Sequence, residues 1–422
     1  MQSWRWLYPG MRLKRWFVLI GMALFVFIVG FSGLMSEHIS GIHVRPAIVV
    51  DIEDHLKRLK FVDFLFMVLA IWGFILGIRR LMFSVLTVYA PAREKEFLNV
   101  VYERTRLKRG PRIVVVGGGT GMPNVLSSLK QYTSNLTAVV TVADDGGSSG
   151  RLRKDFGTPP PGDIRNCIVA LSDQETLLND LFQYRFKGHG DLKGHSFGNL
   201  FITVMKEITG DFGRAVEESS RVLSTRGTVM PVTFESMTLM AKLKNGKVVT
   251  GESNISKSKV PIDQVMLKEK TIKPNREVLK AILEADAVVL GPGSLYTSVI
   301  PNLLIPQVAE TIALSRAVKI YVCNVMTQPG ETDGYTVSDH VKAILKHTGP
   351  NFVHYVIANK EKVSPKLLHR YEMFHQEPVL LDEAAVEALG VKLVKNNLLN
   401  YENYVRHSSE KLGKAIIRRL VI

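Results

Sequence analysis

The chain begins with two long apolar stretches and then changes to short apolar runs separated by polar and glycine-rich loops. Residues 16–35, WFVLIGMALFVFIVGFSGLM, contain no charged residue, and residues 61–78 repeat the pattern with one aspartate, Asp63. A helix needs about 20 apolar residues to cross a bilayer. The pattern therefore predicts two transmembrane helices within residues 1–80, joined by a short extracytoplasmic loop.

The flanking charges predict the orientation of these spans. A cleaved signal peptide is the alternative for the first stretch, but no small-residue cleavage site follows it, whereas a second apolar stretch does. Lys and Arg precede the first stretch and follow the second, although the loop between them also carries four. Because basic flanks remain in the cytoplasm, we expect a two-span protein of the cell membrane with both termini and the main domain cytoplasmic. Residues 81–110 are predicted to form a juxtamembrane linker helix.

From residue 111 onward the apolar runs become short, continuous and rich in β-branched residues, and they alternate with segments of helical period. Continuous apolar strands are typical of a parallel sheet that helices cover on both faces. Residues 111–422 are therefore predicted to form a Rossmann-like, doubly wound α/β domain. The predicted strands are 112–117, 137–144, 286–291, 318–325 and 352–359, and the predicted helices are 124–132, 163–172, 197–209, 306–315 and 336–346.

The pattern differs at about residues 227–262, where runs of alternating apolar and polar residues flank Asn245 and Gly246. An Asn-Gly pair between two alternating runs is a strong β-hairpin signal. We therefore predict a small antiparallel insertion at an edge of the α/β domain.

Charge and cysteine content exclude some classes of protein. The formal net charge is +15, and much of the excess lies before Pro111, beside the apolar stretches. This placement is typical of membrane flanks, and no basic helix interleaved with aromatic residues follows, so we expect no nucleic-acid partner. The two cysteines, Cys167 and Cys323, lie in apolar runs, which argues against a disulfide framework or a structural zinc site.

A glycine-rich turn separates the first predicted strand of the domain from its first helix. Glycines allow backbone N–H groups to approach an anion, and the helix N-terminus adds a favourable potential. The dinucleotide fingerprint G-x-G-x-x-G fails, because Met122 or Asn124 occupies its last position. The turn predicts a phosphate contact without a nicotinamide signature, and a purely structural turn is the alternative. It consists of Gly117, Gly118, Gly119, Thr120 and Gly121.

Asp144 and Asp145 follow the second predicted strand, at the edge where a doubly wound sheet binds its ligand. Adjacent residues of an extended chain point to opposite faces. One aspartate is therefore expected to contact the ligand, as a ribose or Mg²⁺ contact, and the other to cap the following loop. That loop adds the donors Gly147, Ser148 and Ser149, and Arg151, Arg153 and Lys154 behind it fit either an acidic ligand or a solvated turn.

Two helix starts and two strand ends supply further candidates. Asn166 could contact a base or sugar and His195 an anion, although capping and a structural histidine are the respective alternatives. No second metal ligand lies at a suitable spacing from His195. Because the carboxyl ends of parallel strands lie at one edge, these loops are expected to converge on a single crevice. The candidates are Asp163 and Asn166, then His195, Ser196 and Asn199, and after the later strands Gly293, Ser294, Tyr296 and Asn324.

Six motifs, GGGTG, ADDGGSSGRLR, PGDIRN, GHSFGN, GPGSLYTS and NVMTQPGET, occur in this order between residues 112 and 400. Together they resemble the family related to 2-phospho-L-lactate transferase, and within it the gluconeogenesis-factor branch, often called YvcK-like. The resemblance implies a Rossmann-like fold that binds a nucleotide sugar such as UDP-N-acetylglucosamine (UDP-GlcNAc). It also implies as pocket residues the glycine turn, Asp144, Ser148, Ser149, Asn166, His195, Asn199, Ser294 and Tyr296.

The resemblance further implies a regulatory role, in which the protein supports gluconeogenic growth, cell shape and envelope-precursor supply through contact with enzymes of amino-sugar synthesis. On this hypothesis the chain has no catalytic residue and no resident cofactor, although Mg²⁺ could accompany a diphosphate ligand. The second hypothesis is the activity of the transferase branch, which transfers a guanosine-activated phospholactate in the synthesis of an F420-type deazaflavin cofactor.

The motif at the second strand bears on these alternatives. The transferase branch reads Asn-Thr-Gly-Asp-Asp where this chain has Val142 and Ala143 before the aspartates. This departure favours the regulatory hypothesis over Mg²⁺-assisted transfer. A dinucleotide enzyme, with Asp144 at the ribose-reading position, is the third hypothesis, and the failed glycine fingerprint counts against it.

Overall fold

The computed structural model describes residues 14–39, 49–89, 97–173, 176–258, 260–400 and 405–420. The chain divides into two compact units, Met1–Glu103 and Arg104–Ile422. Residues 40–48, in the predicted loop between the apolar stretches, lie outside the described residues.

The first unit contains two long helices, α1 (Lys14–Ile39) and α2 (Val49–Tyr89), which pack against each other through small residues. Ala23 and Ala70 are buried between them, and a Cβ atom placed on Gly77 would lie 2.6 Å from an Ile20 side-chain carbon. The segment Phe61–Ser84 is long and apolar enough to cross a membrane, whereas the apolar helical segment Arg15–Phe31 is shorter. Within the described residues, length and composition support one span, and the second span stays a prediction.

The second unit is an α/β domain preceded by α3 (Phe97–Lys108), which spans the boundary between the units. Its strands are β1 (Ile113–Gly117), β2 (Leu136–Val140), β3 (Thr228–Pro231), β4 (Leu239–Leu243), β5 (Val248–Thr250), β6 (Ile262–Leu267), β7 (Ala287–Leu290), β8 (Val318–Val322), β9 (Tyr355–Asn359), β10 (Lys392–Asn396), β11 (Leu399–Asn400) and β12 (Arg406–His407). Its further helices are α4 (Met122–Leu129), α5 (Gly147–Phe156), α6 (Gly162–Leu171), α7 (Thr176–Gln183), α8 (Phe197–Thr209), α9 (Phe212–Val222), α10 (Glu252–Ile255), α11 (Arg276–Leu283), α12 (Ile300–Leu303), α13 (Val308–Leu314), α14 (Val337–Thr348), α15 (Pro365–Glu372), α16 (Glu383–Glu387) and α17 (Ser409–Ile417).

Seven strands form one parallel sheet in the order β10-β9-β8-β7-β1-β2-β3. The strand order reverses between β1 and β7, which is the switch point at which doubly wound sheets bind ligands. All five predicted strands are confirmed, and the predicted Rossmann-like class with them. The two edge strands, β3 and β10, were not predicted, because TVMP ends in a proline and KLVKN alternates between polar and apolar residues.

Helices cover both faces of the sheet, as the continuous apolar strands predict. Val114 and Val116 of β1 point into one buried cluster, whereas Ile113 and Val115 point into the other. This alternation explains why β1 is apolar at every position. Cys167 and Cys323 are both buried free thiols.

The predicted insertion is a three-stranded antiparallel sheet, in the order β5-β4-β6. Its hairpin turns at Asn245 and Gly246, where Gly246 adopts a φ of 82° that favours glycine, as predicted. Its position differs from the predicted 227–262, since residues 228–231 form the edge strand β3 of the main sheet and the third antiparallel strand extends to Leu267.

Candidate ligand-binding site

The glycine turn after β1 touches the loop after β7 at the switch point of the sheet. A Cβ atom placed on Gly121 would lie 2.2 Å from the Pro292 carbonyl oxygen, so the two loops meet backbone to backbone. Gly119 adopts a φ of 64°, which also favours glycine. Pro123 lies in the first turn of α4, where its missing N–H is not needed. These contacts place the N-terminus of α4 at the edge of the crevice.

A cleft of about 350 Å³ opens at this point, a size within the range of small-molecule sites. Asn324 holds one wall, because its side-chain amide accepts a hydrogen bond from the Gly293 N–H at 2.9 Å and donates to the Gly293 carbonyl oxygen at 2.7 Å. Five of the predicted site residues line the cleft: Thr120, Gly121, Gly293, Ser294 and Asn324.

The opposite wall comes from the C-terminal part of the chain, which the sequence analysis did not assign to the site. Tyr371 and Gln376 lie in and just after α15, and Val405 and His407 lie in and beside β12. The Tyr371 hydroxyl accepts a hydrogen bond from the Val405 N–H at 2.9 Å, which joins these two elements. No motif or glycine-rich loop marks these residues, so the sequence offered no signal for them.

Asn124, in the first turn of α4, links the glycine turn to this C-terminal wall. Its side chain donates to the His407 carbonyl oxygen at 2.8 Å and accepts from the Ser409 hydroxyl at 3.1 Å. His407 is buried, which lowers the pKa of its imidazole to about 4, and its Nε2 has no hydrogen-bond partner among the described residues. His407 is therefore a buried, neutral part of the cleft wall.

A second cavity, of about 500 Å³, shares Thr120 and Asn124 with the cleft and so adjoins it across the N-terminus of α4. Its remaining polar wall consists of amide and hydroxyl side chains and one lysine, Lys130, whose ammonium donates to the Ser172 carbonyl oxygen. Asn166, predicted to contact a base or sugar, lies in this second cavity rather than in the cleft.

Asp163 does not cap its own helix but supports the glycine turn. Its carboxylate accepts a hydrogen bond from the Gly119 N–H at 2.7 Å, and the residue before α6 is Pro161. Burial, together with the nearby charge of Asp144, raises the pKa of Asp163 to about 6. Capping of α6 therefore does not explain the position of Asp163.

The two adjacent aspartates point to different elements, as expected for an extended chain. Asp144 accepts a hydrogen bond from the Gly146 N–H at 2.9 Å and so caps the glycine-serine loop. Asp145 accepts from the Ser253 N–H at 2.9 Å, at the start of α10 in the insertion. Asp145 therefore connects the main sheet to the insertion. Neither aspartate lines the cleft.

The polar residues of α5 and α8 form a buried network behind the end of β2. Ser148 Oγ lies 3.0 Å from His195 Nδ1 and accepts a hydrogen bond from Asn199 Nδ2 at 3.1 Å. Ser196 caps α8 by accepting from the Asn199 N–H, and it also accepts from the buried guanidinium of Arg165. Ser149 is buried in contact with Gly162, while Gly147 begins α5 with a φ of 50°. Burial, together with the nearby charge of Arg151, lowers the pKa of His195.

Ser294 and Tyr296 turn away from each other after β7. Ser294 lines the cleft and donates to the carboxylate of Glu331, which also accepts from the Tyr296 N–H at 3.3 Å. Tyr296 is buried in the core, where its hydroxyl lies 2.9 Å from that of Tyr335. Tyr296 is therefore not brought to the cleft.

Sequence reasoning missed two carboxylates near these loops. Glu331 is 1% exposed, and burial raises its pKa. Burial also raises the pKa of Glu252, on α10, to about 7, and the charges of Asp144, Asp145 and Glu331 act in the same direction. Within the described residues, no three His, Cys, Asp or Glu side chains are arranged to hold a metal ion.

Comparisons with known proteins agree with this geometry. The sequence model described as 2-phospho-L-lactate transferase CofD matches residues 113–399, which include the glycine turn and the strands of the parallel sheet. The chain belongs to the CofD family. The matched residues end before Val405 and His407, so part of the cleft wall lies outside the region that defines this family.

Several CofD-family relatives share the name gluconeogenesis factor. A protein of Halalkalibacterium halodurans, 49% identical over 306 residues that cover 72% of this chain and 95% of its own, is named gluconeogenesis factor. A Bacillus subtilis protein of the same name is 46% identical over 73% of this chain and 97% of its own. A protein of a Nostoc species is 43% identical over 99% of this chain and 92% of its own.

A solved structure matches the α/β unit of this CofD-family chain. The crystal structure of a Bacillus halodurans protein is 48% identical and superposes with a TM-score of 0.71, and the match covers 73% of this chain and 99% of that one. The relative consists of little more than the region that corresponds to the α/β unit. That relative therefore folds without counterparts of the N-terminal helices.

Proposed function

We propose that the chain binds a nucleotide diphosphate sugar of the UDP-GlcNAc type in the cleft at the switch point, and that it acts as a regulator of carbon metabolism and envelope-precursor supply. The observation that carries this proposal is the meeting of the glycine turn, the N-terminus of α4 and the loop after β7 at one cleft of about 350 Å³. A helix N-terminus bordered by glycines suits a diphosphate.

The chemistry of the cleft supports binding rather than catalysis. Among the described residues that line it, the titratable side chains are Tyr371 and His407, and the others are small, amide, hydroxyl or apolar. Such a lining offers hydrogen bonds to a base, a ribose and a sugar. The adjoining amide-rich cavity gives the ligand room to extend past Asn124.

Regulation requires that ligand binding changes a surface that a partner recognises. Asn124 connects the glycine turn to the C-terminal segment through His407 and Ser409, so a ligand in the cleft would contact both parts. We propose enzymes of amino-sugar synthesis as the partners, and we propose that the two N-terminal helices form a membrane tether with both ends in the cytoplasm.

Titration of the α/β unit by isothermal calorimetry tests the proposal. We expect UDP-GlcNAc to bind more tightly than GDP or NAD, and Asn124→Ala to weaken binding by about tenfold, because the C-terminal wall loses both of its side-chain hydrogen bonds to α4. Gln131→Ala, at an exposed position just after the same helix and outside both the cleft and the adjoining cavity, is the matched control and should bind as the wild type does. Absence of UDP-GlcNAc binding at millimolar concentration would contradict the proposal.

The transferase of the CofD family is the second candidate function. The observation that favours it is the group of carboxylates at the carboxyl ends of the strands, since the pKa of Glu252 near 7 suits proton transfer at neutral pH. Incubation with guanosine-activated phospholactate and a deazaflavin acceptor tests it. A product that Glu252→Gln abolishes would support transfer, whereas no product alongside retained UDP-GlcNAc binding would support the regulator.

A further inference from the structure

The outer side of α7 carries an apolar stripe. Leu177, Leu181 and Tyr184 are spaced at i, i+4 and i+7 and are 78%, 42% and 50% exposed. The opposite side of the helix is also apolar, and there Phe182 is buried against Phe197 and Phe201 of α8. A surface helix normally carries polar residues on its outer side. The stripe is therefore not needed for the packing of α7 into the core.

The loop that follows α7 places basic side chains beside this stripe. Residues 185–193 read RFKGHGDLK, and Arg151 of α5 donates a hydrogen bond to the Lys193 carbonyl oxygen at 2.7 Å, which joins the loop to α5. Two more apolar side chains, Phe156 and Leu192, are half exposed among these charges. The exposed basic residues are Arg151, Lys154, Arg185, Lys187 and Lys193, and only Asp155 and Asp191 oppose them in these two segments.

These charges are not neutralised by acidic side chains among the described residues. None of the five exposed basic side chains forms an ion pair with a carboxylate in the part of the chain that the structure describes, although carboxylates elsewhere on the surface do pair with lysine or arginine. Uncompensated basic residues interleaved with exposed Leu, Phe and Tyr are typical of surfaces that bind at the interface of an anionic bilayer.

We propose that this basic apolar face, defined by Phe156, Leu177, Leu181, Tyr184, Leu192 and the five basic residues, binds the surface of a membrane that contains anionic lipids. The charges match lipid headgroups, and the apolar side chains can enter the boundary between headgroups and acyl chains. An acidic protein surface would match the charges but would leave the apolar stripe in water. The same chain carries Phe61–Ser84, a helix long and apolar enough to cross a bilayer, and this favours a membrane as the occupant of the face.

The basic apolar face is joined to the buried network of His195 and Ser196 through the loop after α7. The loop ends at Gly194, and the next residues, His195 and Ser196, belong to the buried network behind β2. Arg185 is also tied to the end of the loop, because it donates to the Gly194 carbonyl oxygen at 2.6 Å. A bilayer that holds the loop would therefore hold the start of α8. The inference does not depend on the nucleotide-sugar proposal, since neither the loop nor α7 lines the cleft.

Vesicle sedimentation with the α/β unit tests the inference, because the crystallised relative folds without counterparts of the N-terminal helices. The probes are vesicles of phosphatidylcholine and vesicles of phosphatidylcholine mixed with phosphatidylglycerol. We expect binding to the mixed vesicles only, and a decrease at high salt as the charges are screened. Lys187→Glu/Lys193→Glu should lower the partition coefficient by at least about tenfold, since each basic residue contributes about fivefold.

The apolar part of the face has its own variant and control. Leu181→Ser/Leu192→Ser should also weaken binding to the mixed vesicles, and both changes are at exposed positions where the fold tolerates them. The hairpin of the insertion provides a matched control, because Lys244, Lys247 and Val248 are exposed there without an apolar stripe. Lys244→Glu/Lys247→Glu and Val248→Ser should bind as the wild type does.

Three results would overturn the inference. The first is equal sedimentation with neutral and anionic vesicles, and the second is unchanged binding in both variants of the face. The third is a loss of binding in the lysine variant alone, together with equally tight binding to heparin. That last result would show a general polyanion site rather than a lipid surface.

Discussion

The cleft at the switch point and the loops at the end of β2 lie at the same edge of one sheet but differ in charge. The cleft is lined by amide, hydroxyl and apolar groups, with Tyr371 and His407 as its titratable side chains among the described residues. The neighbouring elements instead bring together the carboxyl groups of Asp144, Asp163 and Glu252. The pKa values of Asp163 and Glu252 are raised, because both groups are at least partly buried and both lie near the charge of Asp144. The comparison indicates that the proposed ligand cleft and these acidic side chains occupy different parts of the same sheet edge.

The separation has a physical explanation. A diphosphate is repelled by carboxylates unless a cation lies between them, and it is attracted by the N-terminus of a helix. The cleft offers the helix N-terminus, and none of Asp144, Asp163 and Glu252 lines it. Asp163 instead supports the glycine turn by accepting the hydrogen bond from the Gly119 N–H.

Among the substitutions that test this difference between the two regions, Gly121→Ala is expected to have the largest effect on stability and binding. Its Cβ would lie 2.2 Å from the Pro292 carbonyl oxygen, and neither backbone can move without opening the wall of the cleft. We expect the free energy of unfolding to fall by about 3 kcal/mol, the upper end of overpacking effects, and nucleotide-sugar binding to be lost. Urea denaturation and calorimetry measure the two quantities.

Gly188→Ala is the control for this change. Gly188 lies in an exposed loop with no atom near its Cβ position, so the variant should unfold and bind as the wild type does. If Gly121→Ala were equally harmless, the backbone contact between the glycine turn and the loop after β7 would not exist in solution.

The next effect is the pH dependence of stability that Asp163 contributes. The pKa of its carboxyl is about 6 in the folded protein and 3.8 as its ordinary value, so its contribution is fully present below pH 4 and is lost as the pH rises through 6. Asp163→Asn removes this loss and can keep the hydrogen bond from Gly119. The free energy of unfolding of the variant, relative to wild type, should therefore increase by about 2 kcal/mol between pH 4 and pH 8.

Urea midpoints across this pH range check the expectation. Asp155→Asn, at an exposed position of α5, is the control and should follow the wild-type curve. A constant difference between Asp163→Asn and wild type would mean that Asp163 is solvated, and the charge contrast between the two regions would then be much smaller.

The sequence predicted the regions of this edge to different degrees. The glycine turn, the loop at Gly293 and Asn324 were predicted to meet, because strands of the same direction end at one edge and these strands are strongly apolar. The structure places them together at the cleft. The loops at Ser148 and His195 were expected to join the same crevice, yet they close a network of their own, since Ser148 bonds His195 and Asn199.

Other parts of the site could not be predicted, because they depend on contacts that are distant in sequence. Asn124 bonds His407 and Ser409 across more than 280 residues, and no periodicity indicates such a contact. Glu252 belongs to the insertion, which the sequence pattern predicts to lie at an edge of the domain. In the structure, however, Glu252 lies close enough to Asp144 and Glu331 for their charges to raise its pKa. Edge strands β3 and β10 were missed for a simpler reason, namely that short strands with polar residues resemble loops.

The smallest expected effect is the pH dependence of stability that Glu252, on α10 of the insertion, contributes. Its pKa of about 7 lies above the ordinary 4.5, so its contribution to stability is present below pH 4.5 and is lost as the pH rises through 7. Because Glu252 is partly exposed, solvent screens part of the effect, and Glu252→Gln should gain only about 1 kcal/mol relative to wild type between pH 4.5 and pH 8. Glu387→Gln, at an exposed position, should show no such gain.

A second substitution separates the two main causes of the raised pKa of Glu252. Burial is its largest cause and the charge of Asp144 is the next, so in an Asp144→Asn background the gain from Glu252→Gln should become smaller without disappearing. An unchanged gain would mean that the insertion carboxylate does not interact with the end of β2. In that case the acidic loops would be two independent groups, and the contrast with the neutral cleft would hold only for the pair of Asp144 and Asp163.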